Sequence, residues 1–182
     1  MKTKILAFCA FAFSVVSCST NNDEATVQYF PFQETKNGIW GMISPSGEVL
    51  FSEEFKQQPT IARDNRFLVK NSEGLWEIYM TESNPHKVGK EYVFASMFHD
   101  GIALVTEVGE PISIINTDGE IIKKLDATID AVRPFSEGYA IYQRGQYYGI
   151  LDSKGNKITE DKYFFITDCS DGKFIALDKK YE

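Results

Sequence analysis

The stretch FSEGYAIYQRGQYYGILDSKGNKITED, residues 135–161, decides the fold, because its parts recur upstream at a fixed spacing. Trp40, Trp76, Ile112 and Tyr148 stand 36 residues apart, and the same step relates Met42, Ile78, Ile114 and Ile150. It also relates Ile43, Tyr79, Ile115 and Leu151, and then Gly47, Ser83, Gly119 and Gly155. Self-similarity at a fixed period of this length is the signature of a repeat architecture. A second marker, FHDGIAL at 98–104, returns as FSEGYAI at 135–141 and as CSDGKFIAL at 169–177, spaced 37 and then 34 residues apart. The variation in length therefore lies in the connections.

Within each copy the apolar period is two, and the runs are short and rich in β-branched and aromatic residues, which predicts strands. In the last full copy these are Tyr139–Gln143, Tyr147–Leu151 and Asn156–Thr159, with Tyr163, Phe164 and Phe165 as a fourth strand or a packed loop. The turn after the second strand is the best specified. Asp152, Asn116 and Ser44 place a short polar side chain at its start, and Gly155, Gly119 and Gly47 close it, as a type I turn with a glycine bulge requires. The second copy breaks this pattern, so its hairpin across Thr81–His86 is expected to be longer and less regular. No capping box precedes a run of period 3.6. The expectation is an all-β fold, a tandem array of about four small antiparallel sheets built from 36-residue repeats, propeller-like or an open β-spiral. One such unit cannot bury its apolar face alone, so neighbours must stack. A partial fifth copy, residues 174–178, is expected to pair with an exposed edge of either the last sheet or the first.

Residues 1–17 carry Lys2 and Lys4, an apolar run from Ile5 to Val16 and then Ser17-Cys18, the pattern of a secretory signal. The run is too short to span a membrane comfortably, which takes about 20 residues. Val15-Val16-Ser17-Cys18 resembles the bacterial lipobox, which makes Cys18 the expected lipidation site and the membrane a partner through the anchor. The other reading is an ordinary cleaved signal with Cys18 as an incidental thiol. Residues 18–27 are polar and read as a flexible tether, leaving 28–182 as the repeat domain. Asp23-Glu24 resembles the acidic export signal of some lipoproteins of the Bacteroidetes. The expected location is the cell envelope, anchored to the outer membrane on its periplasmic or its outer face. With Cys9 in the signal and Cys18 lipidated, Cys169 has no partner for a disulfide within the chain.

FSEGYA, WGMISPSGEVL and GILDSKGNKI resemble WG repeats, the Trp-Gly repeat family found in arrays in bacterial proteins. The resemblance runs from Phe32 onward. The literal pair stands only at Trp40-Gly41, while later copies have Trp76-Glu77, Ile112-Ser113 and Tyr148-Gly149. It implies an extracytoplasmic or scaffold-type β-repeat protein and brings no catalytic residues with it.

The formal charge of −7 argues against a nucleic-acid partner, since no Lys/Arg cluster reverses it locally. His99-Asp100 sketches half a catalytic pair, but the matching positions hold Ser136-Glu137 and Ser170-Asp171, which points to turn chemistry. Cys169 fills the slot of Phe98 and Phe135 and reads as a buried small apolar residue. The paired acids Glu53-Glu54, Asp118 with Glu120, Asp126 with Asp130, and Glu160-Asp161 fall at turns or strand ends. No metal-ligand spacing and no phosphate-binding loop is present in the sequence, so no catalytic residue, cofactor or metal is expected. Adjacent aromatics point to opposite faces of a strand, which makes Tyr142, Tyr147, Tyr148 and Tyr163 the candidate ligand-facing side chains. The expected function is a non-enzymatic platform that binds another macromolecule, a protein first. A glycan-binding surface lipoprotein and an envelope hydrolase are the alternatives.

Overall fold

The computed structural model describes residues 28–82 and 86–178. These form antiparallel strands and no α-helix, arranged as four sheets in chain order. The first contains β1 (Phe30–Phe32), β2 (Trp40–Ile43) and β3 (Val49–Phe55). The second contains β4 (Arg66–Lys70), β5 (Trp76–Met80) and β6 (Lys87–Tyr92). In the third are β7 (Phe94–Ala95), β8 (Ile102–Thr106), β9 (Ser113–Asn116) and β10 (Ile121–Lys124). The fourth holds β11 (Ala131–Val132), β12 (Tyr139–Arg144), β13 (Tyr147–Asp152), β14 (Tyr163–Ile166) and β15 (Ala176–Asp178). Sequential neighbours pair throughout.

Alternation along each strand sends successive side chains to opposite faces, and here both faces of the inner strands are covered. In β8, Ala103 and Val105 join the cluster shared with the second sheet, while Ile102 and Leu104 join the cluster shared with the fourth. In β4, Phe67 and Val69 face the first sheet and Leu68 faces the third. The inner strands are therefore nearly continuous apolar runs. Between the first two sheets the cluster is aromatic: Phe51, Phe55, Phe67 and Tyr79 meet with ring centroids 5.2–6.3 Å apart, mostly edge to face. Full burial of one such ring stabilises by about 1.5–3 kcal/mol relative to leaving it in water, so each inter-sheet seam is a core in its own right.

The 36-residue registers acquire a physical meaning. Met42, Ile78, Ile114 and Ile150 are all buried, and Trp40, Trp76, Ile112 and Tyr148 pack beside them, one pair in each of the four clusters. In the first three sheets this pair faces the next sheet. In the fourth it faces Ile166 and Phe174. Among the described residues no strand pairing or apolar cluster joins the fourth sheet to the first, which is an open array. The segment 174–178 pairs with the last sheet, Ala176 opposite Ile166 and Leu177 opposite Phe165.

One local expectation changes. Residues 156–159 form no strand: a single bridge links Leu151 to Lys157, and the Thr159 hydroxyl, not a backbone group, accepts from Ile150 N at 3.0 Å. The third ladder position passes to β14, where Tyr163 lies opposite Tyr148. The Thr81–His86 hairpin lies partly outside the described residues; at its ends Met80 N donates to His86 O at 3.1 Å.

Candidate functional site

The acid-glycine markers are two-residue hairpin turns gathered along one edge of the array. Asp100-Gly101, Glu137-Gly138 and Asp171-Gly172 all have positive φ, at 54° and 77°, 52° and 79°, and 52° and 68°. Positive φ at both central residues is the signature of a type I′ turn, whose twist suits a right-handed hairpin. Asp64-Asn65, at 49° and 56°, makes the same turn in the second sheet. The flanking residues bridge in each case: Arg63 with Arg66, His99 with Ile102, Ser136 with Tyr139, and Ser170 with Lys173.

The acids of these turns reach along the array. Asp64 Oδ2 accepts from Gly101 N of the next turn at 2.8 Å. Glu137 accepts from Asp171 N at 3.0 Å, from Gly172 N at 2.8 Å and from the Cys169 thiol at 3.3 Å. The Gly172 and Asp171 amides hold the Glu137 carboxyl below its ordinary range. Burial first, and then the Glu137 carboxylate, push the Cys169 thiol up. A raised thiol is mostly protonated at neutral pH and a poor nucleophile. Asp100 departs from the pattern: its Oδ2 lies 3.0 Å from Nδ1 of its own neighbour His99.

Between the turns of the second and third sheets lies a cavity of about 300 Å³. Its polar lining is Gln28, Arg63, Asp64, Asn65, His99 and Asp100, over Ala62 and Phe98, both buried. His99 Nδ1 is itself buried and makes no hydrogen bond. A second cavity, of about 310 Å³, is bordered by Glu77 and Tyr79. Glu77 is buried, yet Lys87 Nζ donates to it at 2.6 Å and the Tyr79 hydroxyl at 3.1 Å. Burial pushes its carboxyl up, but the Lys87, Tyr79 and Asn71 contacts outweigh that and leave it below the usual range. Burial and then Glu77 raise the Tyr79 hydroxyl to about 12. This group is a satisfied ionic lock.

The candidate aromatics separate. Tyr142 is fully buried, which corrects the expectation that it faces a ligand. Alternation puts Tyr142 with Ala140 in the cluster against the third sheet, where its hydroxyl donates to Thr159 O at 3.0 Å. Its ring lies over Gly149, where an added Cβ would stand 2.4 Å from the ring. Burial and then Asp161 raise its hydroxyl to about 12. Tyr148 and Tyr163 are brought together as a cross-strand pair on the terminal face, both half-buried beside Ile141, Ile150 and Ile166. The Arg133 guanidinium sits 5.7 Å from the Tyr148 ring, and Lys162 Nζ sits 5.0 Å from that of Tyr163. Tyr147 is also half-buried and rests against Phe164, with centroids 5.2 Å apart. Cys18 lies outside the described residues.

Residues 113–148 match a protein-family model described as WG containing repeat. This segment is similar to a WG-containing repeat. Searches of curated proteins and of solved structures found no match to the chain. The matched segment begins in β9 and ends in β13, so it straddles two sheets. Its first half supplies the last strands of the third sheet and its second half the first strands of the fourth. Each repeat therefore ties one sheet to the next, here through the connection between β10 and β11 at residues 125–130.

The paired acids of the matched segment serve turns. Asp126 Oδ1 accepts from Thr128 N at 2.9 Å, Asp130 Oδ2 from Gly145 N at 2.6 Å, and Asn116 Oδ1 from Asp118 N and Glu120 N. Among the described residues no group of three or more His, Cys, Asp or Glu is placed to hold a metal ion. Of the polar side chains lining the first cavity, sequence reasoning missed Gln28 and the turn residues Arg63, Asp64 and Asn65. That turn is the second sheet's copy of the acid-glycine marker, hidden because Asn65 stands where the other copies have glycine. The signal that finds it is the bridge between Arg63 and Arg66 together with two left-handed residues.

Proposed function

We propose that the protein is a non-enzymatic, lipid-anchored envelope protein whose WG-type array binds another protein on its terminal hairpin, β14–β15. The observation that carries this reading is the exposure of Ile175. The equivalent residues are Leu68, Leu104 and Ile141, as the hydrogen bonds show. Thr60 N, Ser96 N and Arg133 N donate to their carbonyls at 2.8–2.9 Å, just as Thr167 N donates to Ile175 O at 2.9 Å. Those three are 2%, 0% and 3% exposed, whereas Ile175 is 72% exposed, with Leu177 at 51% and Phe165 at 49% beside it. Among the described residues no strand lies on the outer edge of β15. A strand edge with unpaired backbone groups beside apolar side chains is a template for strand addition by a partner. Grouped exposed apolar side chains mark interaction surfaces more often than scattered ones do.

The test is retention of an envelope protein by the wild-type chain and its loss in Ile175→Asp with Leu177→Asp, with an unchanged far-ultraviolet spectrum. Equal recovery by both forms contradicts the reading. The anchor is tested separately. Cys18→Ser is expected to move the protein from the membrane to the soluble fraction, and unchanged partition contradicts lipidation.

A further inference from the structure

The cavity between the turns of the second and third sheets is where the repeat departs from its own pattern. The later type I′ turns open on serine, Ser136 and Ser170, and carry glycine at the second left-handed position, Gly138 and Gly172. The turns that border the cavity instead open on Arg63 and His99, and the first of them has Asn65 in place of glycine. Turn geometry does not ask for these changes. Serine suffices at the first position in the later copies, and a left-handed backbone favours glycine over asparagine. Three unneeded large side chains converge on one cavity of about 300 Å³.

Their polar groups are unspent. Among the described residues the Arg63 guanidinium and the Asn65 and Gln28 side-chain amides have no hydrogen-bond partner, while His99 Nδ1 is buried against Asp100 Oδ2 at 3.0 Å without forming a hydrogen bond. The two carboxylates are already engaged, Asp64 by the Gly101 amide and Asp100 by its contact with His99. All six polar lining groups are planar. Carboxylate, amide and guanidinium each present two polar atoms side by side in one plane, a geometry that spans two adjacent hydroxyls. One guanidinium beside two carboxylates leaves no excess positive charge for a phosphate, whose binding the carboxylates oppose. The groups left free suit an uncharged ligand that both donates and accepts.

We propose that this cavity binds one residue of a neutral saccharide through vicinal hydroxyls, with Arg63, Asn65, Gln28 and His99 as its new contacts and Asp64 and Asp100 fixing the cleft. The site is separate from the terminal hairpin and stands or falls independently of it. The test is saturation-transfer NMR with the full chain in detergent, using glucose, galactose, mannose and N-acetylglucosamine one at a time. Glycine is run in the same way, and inorganic phosphate is followed by phosphorus line broadening. The control is Arg63→Ser with Asn65→Gly and His99→Ser, which installs the residues that later copies of the turn carry and so keeps the fold. Transfer to the ring protons of at least one sugar, reduced at least tenfold in the triple variant, is the expected result. The proposal is overturned by no transfer to any of the four sugars, by equal transfer from the variant, or by glycine or phosphate binding there in their place.

Discussion

At Gly149 the backbone of β13 passes under the Tyr142 ring, and the strand partners elsewhere show a rule of volume. Phe32 lies opposite Gly41 and Tyr142 opposite Gly149, while Val105 lies opposite Ser113 and Val69 opposite Glu77. Where the cross-strand residue is aromatic the second residue of the Trp-Gly pair is glycine, and where it is valine a side chain is accommodated. Gly149→Ala is therefore expected to cost about 1–3 kcal/mol, the range for overpacking a close-packed site. In a Tyr142→Val background the same change should cost less than about 1 kcal/mol. Denaturant unfolding of the four proteins in this cycle checks it. Tyr142 also shows what sequence alone withholds. Alternation assigns it a face, but only the stacking of the next sheet decides that this face is covered.

Glu77 takes the glycine position of its own copy and turns it into an ionic lock. Its folded carboxyl titrates below the ordinary value of 4.5. The carboxylate's contribution is therefore present above about pH 4.5 and disappears as the pH falls through the lower folded value. Between pH 7 and pH 3 the wild type should lose more unfolding free energy than Glu77→Gln, measured by chemical denaturation at each pH. Equal losses would remove Glu77 from the acid response.

At the scale of the element, the turns are what made the repeat readable. Few residues tolerate a left-handed backbone, so Gly47, Gly119 and Gly155, and the acid-glycine pairs, recur in register even where strand residues drift. The same dependence explains the failures. Asn65 satisfies a left-handed position less commonly than glycine and conceals the turn of the second sheet. Residues 156–159 alternate like a strand, yet the Thr159 side chain takes over the ladder contact. Glu137 links two turns, so Glu137→Gln is expected to speed hydrogen exchange at the Asp171 and Gly172 amides while leaving β12 and β13 protected. Unchanged exchange at those two amides would show that the link does not hold the last hairpin.

For the whole molecule, stability is distributed over three inter-sheet seams and a terminal half-core, and the repeat is the tie between sheets. The Trp40–Met42 register packs forward at every step, and from the first three sheets it meets another sheet. The fourth meets only Ile166, Phe174 and their neighbours, and Ile175 and Leu177 stay exposed. Sequence periodicity announced the array, the number of its sheets and the position of the last strand. Whether that strand closes a ring or stays with its own sheet depends on contacts many residues apart, which periodicity does not encode. The most direct measurement is photo-crosslinking in intact cells, with a photoreactive phenylalanine analogue placed singly at positions 165, 175 and 177, and at exposed Val108 as control. A discrete protein adduct at 165, 175 or 177 but not at 108 is the expected result. Adducts at none of the three, or equally at 108, would contradict a protein-binding role for the terminal hairpin.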